Sequence, residues 1–187
     1  MKKLILASQS PRRRELLEKC GIPFLCDPAD IDESFDHTKP VEEEIRRLAM
    51  RKAEAGLIKH PDAVVIGSDT VVVLNGTVLG KPADEKDAEE MLKMLSGNTH
   101  QVVTGLCIMS EKKVYTDVSV ADVTFAELDE EEIRSYIASK EPMDKAGAYA
   151  VQGLGGRFIT GISGDYYTIV GLPLNMVYEE LKNLSEY

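Results

Sequence analysis

The sequence predicts a single α/β domain with a mixed sheet, and three observations carry that expectation. Strand-like and helix-like patterns alternate along 187 residues with no linker, internal repeat or low-complexity stretch between them. The run Ala63 to Gly67 is continuously apolar, as in a strand covered on both faces. Asn75-Gly76 and Glu111-Lys112-Lys113 each join two strand patterns by a short turn, so part of the sheet must be antiparallel. A chain of this length buries about 70% of its unfolded surface when it folds as one domain.

The elements follow in order. Lys3 to Ala7 is a strand that runs through Ser8-Gln9-Ser10 into a helix, with Ser10 as N-cap, Pro11 at the first helical position and Gly21 as the stop. This first unit ends at about Cys26. A polar loop, Asp27 to Lys39, carries Asp30, Asp32, Glu33 and Asp36, and a second helix runs from near Pro40 to about Lys59. The apolar strand from Ala63 is interrupted at Ser68-Asp69-Thr70 and resumes as Val71 to Leu74, and Asn75-Gly76 signals a type I′ hairpin into Thr77-Val78-Leu79. Asp84 caps a helix through Ser96 with Ala88, Met91, Leu92 and Leu95 inward and Gly97 as its stop. Two long strands, Gln101 to Met109 and Val114 to Phe125, come next. Asp129 caps a helix to about Ser139, an irregular glycine-rich segment follows, and Pro173 opens the last helix.

Composition narrows the classes of partner. A net charge of -10 argues against broad nucleic-acid or anionic-membrane binding, which needs an extended basic face. Cys20, Cys26 and Cys107 are odd in number and lack C-x-x-C spacing, so neither a disulfide framework nor a zinc site is indicated and a reducing cytoplasm fits best. The stretch after Met1-Lys2-Lys3 is too short for a signal peptide, and no other stretch reaches membrane-spanning length.

Against this acidic background Arg12-Arg13-Arg14 stands out, because three arginines occupy a helix start. The free N–H groups there already amount to about half a positive charge, and each added cation is unfavourable by about 0.3 to 1 kcal/mol. A bound anion reverses that sign. Backbone N–H groups, hydroxyls and guanidinium groups would then converge on phosphates; the other reading is a solvated basic patch.

Asp69 lies between two Val-rich strand halves, where an ionised carboxylate is costly unless paired or metal-bound. It is the best single catalytic candidate, with an exposed bulge or turn at Ser68-Asp69-Thr70 as the other reading. Val41, Ile45, Leu48, Lys52 and Ala55 follow helical spacing, so Lys52 sits on an apolar face and either snorkels out or meets an anion. Gly80-Lys81-Pro82 fixes a lysine at a strand end, although the composition also suits a plain turn. In the segment Lys140 to Gly153, Gln152 offers an amide donor and acceptor to a base edge, or simply faces solvent.

No Walker A loop is present, and Gly153, Gly155 and Gly156 do not sit between a strand and a helix as a dinucleotide fingerprint requires. His37, His60 and His100 are scattered, with no zincin or nucleophile-elbow pattern. Carboxylates at Glu33 and Asp69, lysines at Lys52 and Lys81 and the arginine turn together suit magnesium-assisted chemistry on a polyphosphate.

These motifs, with Ala7-Ser8-Gln9-Ser10-Pro11-Arg12-Arg13, Gly67-Ser68-Asp69-Thr70, Ser96-Gly97 with His100, Gly164-Asp165-Tyr166-Tyr167 and Gly171-Leu172-Pro173, span nearly the whole chain. In this set the sequence resembles the Maf nucleotide pyrophosphatases, which share a fold with inosine triphosphate pyrophosphatases. The resemblance implies one domain over 1–187, with an elongated mixed sheet flanked by helices and two lobes around a central cleft. It also implies hydrolysis of a nucleoside triphosphate between the α and β phosphates. Arg12 after Ser-Pro, with Thr70 and Gln152, looks like the subgroup that prefers dTTP and UTP; modified pyrimidine nucleotides are a further candidate substrate.

Carried over by the same resemblance, Asp69 is the proton acceptor that activates water, with a hydroxide on the metal that Asp69 ligates as the other workable nucleophile, and Arg12, Thr70 and Gln152 set base selectivity. Ser8, Arg13, Glu33, Lys52 and Lys81 form the phosphate and metal shell. Glu33 and Asp69 are the expected ligands of a divalent metal ion, magnesium with manganese as the substitute. The expected protein is a cytoplasmic monomer or homodimer whose partner is its nucleotide, with no nucleic acid and no membrane. The competing class is a nucleotide-sensing regulator of cell division or septum formation that uses the same cleft.

Overall fold

The structure is a computed structural model that describes residues 2–28 and 30–184; Met1 of the basic start and Ala29 of the polar loop lie outside them. Among the described residues, seven strands, β1 (Leu4–Leu6), β2 (Leu25–Cys26), β3 (Val64–Leu74), β4 (Thr77–Leu79), β5 (Thr99–Met109), β6 (Val114–Phe125) and β7 (Ile159–Ser163), form one mixed sheet in the order β2-β1-β3-β5-β6-β7, with β4 paired to β3. Strands β3 (Val64–Leu74), β5 (Thr99–Met109) and β6 (Val114–Phe125) each divide their residues between two compact units. The first unit holds 1–69, 104–119 and 171–187, and the second holds 70–103 and 120–170.

In the first unit β1 (Leu4–Leu6) pairs in parallel with both β2 (Leu25–Cys26) and β3. Between β1 and β2 lies α1 (Pro11–Glu18), which starts as its sequence demands: Ser10 caps it by accepting from the Arg13 N–H, with Pro11 in the first turn. The long helix α2 (Val41–Lys59) buries Ile45, Leu48, Ala49, Lys52, Ala53 and Gly56. Three glycines let its backbone approach the sheet. A Cβ on Gly67 would stand 2.2 Å from the Ala49 carbonyl oxygen, one on Gly105 2.4 Å from that of Ile45, and one on Gly56 2.6 Å from Val65 Cγ1. Such contacts are tighter than any packed core tolerates, so only glycine allows this helix–strand approach. The turn from β5 to β6 closes through the Ser110 N–H on the Lys113 carbonyl at 2.8 Å.

In the second unit β3 turns back into β4 (Thr77–Leu79) in the register Val72↔Leu79, Val73↔Val78, Leu74↔Thr77. Asn75 and Gly76 both have positive φ, 49° and 80°, as the type I′ turn requires. The helices α3 (Glu85–Leu95) and α4 (Glu130–Ala138) are capped by Asp84 and Asp129, the latter in a full capping box with Glu132. Their apolar faces join Val72, Leu79, Val102, Val123, Phe125, Tyr149 and Phe158 in one core. Strand β7 (Ile159–Ser163) adds antiparallel to β6, with an irregularity at Thr124/Phe125. A short helix α5 (Tyr166–Val170) follows, and α6 (Leu174–Asn183) lies in the first unit. Among the described residues, no helix is long and apolar enough to cross a membrane.

The mixed α/β expectation holds, and the interruption expected at Ser68-Asp69-Thr70 is absent, because β3 runs through it unbroken. The irregular glycine-rich segment, by contrast, contains β7, α5 and three 3₁₀ turns at Glu141–Asp144, Ala146–Ala148 and Leu154–Phe158.

A buried histidine ties this core to pH. His100 is 1% exposed, Nε2 lies 2.7 Å from the Tyr149 hydroxyl, and Nδ1 has no hydrogen-bond partner among the described residues. Burial pushes its pKa down to about 4, against the weaker pull of Asp122. An unfolded imidazole titrates near 6.5, so on acidification the unfolded chain takes up this proton first. Stability present above about pH 6.5 is therefore lost as pH falls towards 4, by up to about 3 kcal/mol. The melting temperature is expected to fall more steeply over that range in the parent protein than in His100→Gln. Parallel curves would remove His100 as the cause.

Candidate active site

The first unit brings three of the expected residues into direct contact. Lys52, on the buried face of α2 and 7% exposed, reaches Asp69 Oδ1 at 3.0 Å and Glu33 Oε1 at 2.8 Å. It does not snorkel to water; its ammonium bridges two carboxylates. The close approach at Gly67 explains the geometry, since Ala49 and Ala53 lie against the strand two residues before Asp69 and Lys52 is carried on that same turn. Asp69 has a side chain 19% exposed, whereas Glu33 is half-exposed.

Glu33 belongs to no helix or strand, so its place depends on its neighbours. Arg51 donates to the Asp32 carbonyl at 2.8 Å, and Arg47 donates to the Ser34 carbonyl at 2.9 Å, so α2 grips the chain on both sides of Glu33. Arg47 is held in turn by the buried carboxylate of Glu44 at 2.7 Å. The Asp32 carboxylate closes the local turn by accepting from the Ser34 N–H and hydroxyl, both at 2.9 Å, and these bonds hold its pKa below the usual carboxylate range. Arg47 and Arg51 were not among the residues expected from sequence. Their four-residue spacing puts them on one helix face, but nothing in it reveals which loop they grip.

The arginine turn contributes to the same unit. Ser8 is buried, and its hydroxyl accepts from the Ser10 N–H at 3.1 Å. Arg13 Nε donates to the Gly171 carbonyl at 2.7 Å, and the buried Ser68 hydroxyl donates to that same oxygen at 3.1 Å. One carbonyl thus fixes the start of α1 and the middle of β3 together. Burial pushes the Arg13 guanidinium down, with the Asp69 charge opposing and Arg12 adding to it; an arginine stays charged throughout. Gly171 has no side chain to advertise this role, and only the motif Gly171-Leu172-Pro173 marked its neighbourhood. Arg12, the residue before Arg13 on the first turn of α1, is half-buried.

Thr70, Lys81 and Gln152 belong to the second unit. Thr70 is half-buried on β3 directly after Asp69. Lys81 is exposed in a turn whose Gly80 carbonyl accepts from the Gly147 N–H at 3.0 Å. Gly147 needs its positive φ of 68°, and a Cβ on it would stand 2.8 Å from Val72 Cγ2. Gln152 is exposed in the turn after Ala150.

Chemically, Glu33 and Asp69 present hard oxygen donors to one cation, the ligand type that magnesium or manganese takes. Among the described residues no group of three or more His, Cys, Asp and Glu converges, so a bound divalent ion would complete its shell with water or phosphate oxygens. A family model described as Maf-like protein matches residues 3–184. The dTTP/UTP pyrophosphatase of Bacillus cereus (strain ATCC 10987 / NRS 248) is 47% identical over 185 residues, covering 99% of this chain and 91% of that protein. The protein of the same name from Bacillus anthracis is 45% identical over 185 residues, covering 99% and 97%. A distant likeness in structure, to protein VC0702 from Vibrio cholerae, has a TM-score of 0.44 at 15% identity over 72% of this chain and 70% of that one, and carries nothing about activity. With a family match over nearly its whole length and relatives at this identity, the chain belongs to the Maf-like protein family.

Proposed function

We propose that this protein hydrolyses dTTP and UTP to the nucleoside monophosphate and pyrophosphate. The observation that carries the reading is the cluster in which Lys52 holds Glu33 and Asp69 within 3.0 Å of one ammonium. Full-length similarity to proteins named dTTP/UTP pyrophosphatase supports it.

In this reading Asp69 accepts the proton of the attacking water. Its Oδ1 is engaged by Lys52, and Oδ2 carries lone pairs for the water. Ser8, Arg13, Lys52 and Lys81 bind phosphate oxygens and offset the charge that develops on the departing pyrophosphate. Glu33 and Asp69 would hold a divalent cation, magnesium or manganese, which supplies further neutralisation of the triphosphate. Arg12, Thr70 and Gln152 choose the base. An arginine carries only donors, so Arg12 at the base edge favours the O4 acceptor of uracil and thymine and opposes the amino group of cytosine. All three cysteines are free thiols, consistent with work in a reducing cytoplasm over the domain 1–187.

A pyrophosphate-release panel over dTTP, UTP, CTP and modified pyrimidine triphosphates tests this directly. dTTP and UTP are expected to lead, and Arg12→Ala to lower their rates while narrowing their advantage over CTP by about 5-fold to 150-fold, the cost of a donor facing a donor. An equal proportional loss on all substrates would assign Arg12 to the phosphates instead.

A further inference from the structure

We infer that Glu141, acting through Tyr136, is a positioning residue that registers Gln152 against the pyrimidine base; this rests on the reading of Gln152 given above. The Glu141 carboxylate accepts three hydrogen bonds, from the Tyr136 hydroxyl at 2.6 Å, the Leu154 N–H at 2.9 Å and the Gly155 N–H at 3.0 Å. The Tyr136 hydroxyl accepts in turn from the Ala150 N–H at 3.1 Å. The chain is therefore tied to one hydroxyl–carboxylate pair two residues before Gln152 and again two and three residues after it.

The loop closes directly on that pair. A Cβ on Gly153 would stand 2.0 Å from Glu141 Oε1, and one on Gly155 would stand 2.6 Å from the Tyr136 hydroxyl. Tyr136 is fully buried, with its ring edge-on to Phe158 at 5.1 Å between centroids, so the anchor cannot drift. Burial pushes the Glu141 carboxyl up, but the bonds from Tyr136, Leu154 and Gly155, with the Lys145 charge, outweigh it and hold the pKa below the usual range. Three converging donors require an acceptor-only group. A glutamine there would turn its NH₂ towards at least one donor.

The consequence concerns selectivity. An amide can pair with uracil, or by turning with cytosine, so Gln152 adds to the choice made by the donor-only Arg12 only when the chain that carries it is fixed and holds it at one depth against the base edge. Since Gln152 is exposed, that fixation must come through the chain on either side of it. Glu141 and Tyr136 supply it without touching the nucleotide.

The test measures kcat/KM for UTP and CTP in the parent, Gln152→Ala, Glu141→Gln, the double variant and Tyr136→Phe, with circular dichroism and melting curves to confirm folding. Glu141→Gln is expected to narrow the UTP/CTP ratio by at least about 5-fold, as does Gln152→Ala, and the double variant to narrow it no further than Gln152→Ala alone. Tyr136→Phe, which keeps the buried ring, is expected to move the ratio the same way and decides the matter if Glu141→Gln does not fold. An unchanged ratio in Glu141→Gln or Tyr136→Phe, or a double variant whose losses add, would overturn the inference while leaving Gln152 in its role. An unchanged ratio in Gln152→Ala would remove the role of Gln152 itself, and the inference with it.

Discussion

Asp69→Asn is expected to lower kcat on dTTP by about 10² to 10⁴, the usual cost of losing a general base. The substitution preserves shape and keeps an oxygen that can face Lys52, so β3 and the close contact at Gly67 should survive and the melting temperature should move by no more than a few degrees. A folded variant with nearly normal turnover would transfer the role to Glu33, the other carboxylate on the same ammonium at 2.8 Å.

Lys52→Met is expected to lower kcat/KM by about 10² to 10³, the range for removing one preorganised charge from a transition state. Methionine replaces the buried stem in volume and apolarity but leaves Glu33 and Asp69 facing each other without the intervening cation. Because Glu33 is half-exposed, water relieves much of that repulsion and the effect on stability stays small. The loss should therefore appear in steady-state kinetics across magnesium concentrations while melting curves stay close to the parent. Near-parental kinetics at every magnesium concentration would reduce Lys52 to a packing residue.

What was legible in the sequence follows from what each signal depends on. The two apolar halves of strand β3, helix α2 and the capped helices α3 and α4 were readable, because periodicity, cap residues and an Asn75-Gly76 turn are local properties; the continuity of β3 through Ser68-Asp69-Thr70 was not, because polar residues there read as a break. Lys52 could be placed on the buried face of α2 for the same reason, and the choice between snorkelling and pairing could not, since its partners lie 17 and 19 residues away. Strand β2 was hidden by its length of two residues, both exposed. α5 was hidden by composition: Tyr166-Tyr167-Thr168-Ile169-Val170 favours a strand, yet the Asp165 carboxylate caps it through the Tyr167 and Thr168 N–H groups at 3.1 and 2.9 Å. The Gly171 carbonyl and the grip of Arg47 and Arg51 on the Glu33 loop involve backbone atoms, which every residue possesses. No residue type announces them.

The most direct measurement is a phosphorus NMR time course of the purified protein with dTTP and magnesium, read before any secondary hydrolysis. Hydrolysis between the α and β phosphates predicts thymidine monophosphate and pyrophosphate appearing together in equal amounts from the first points, with no diphosphate intermediate. Early orthophosphate with thymidine diphosphate would contradict it.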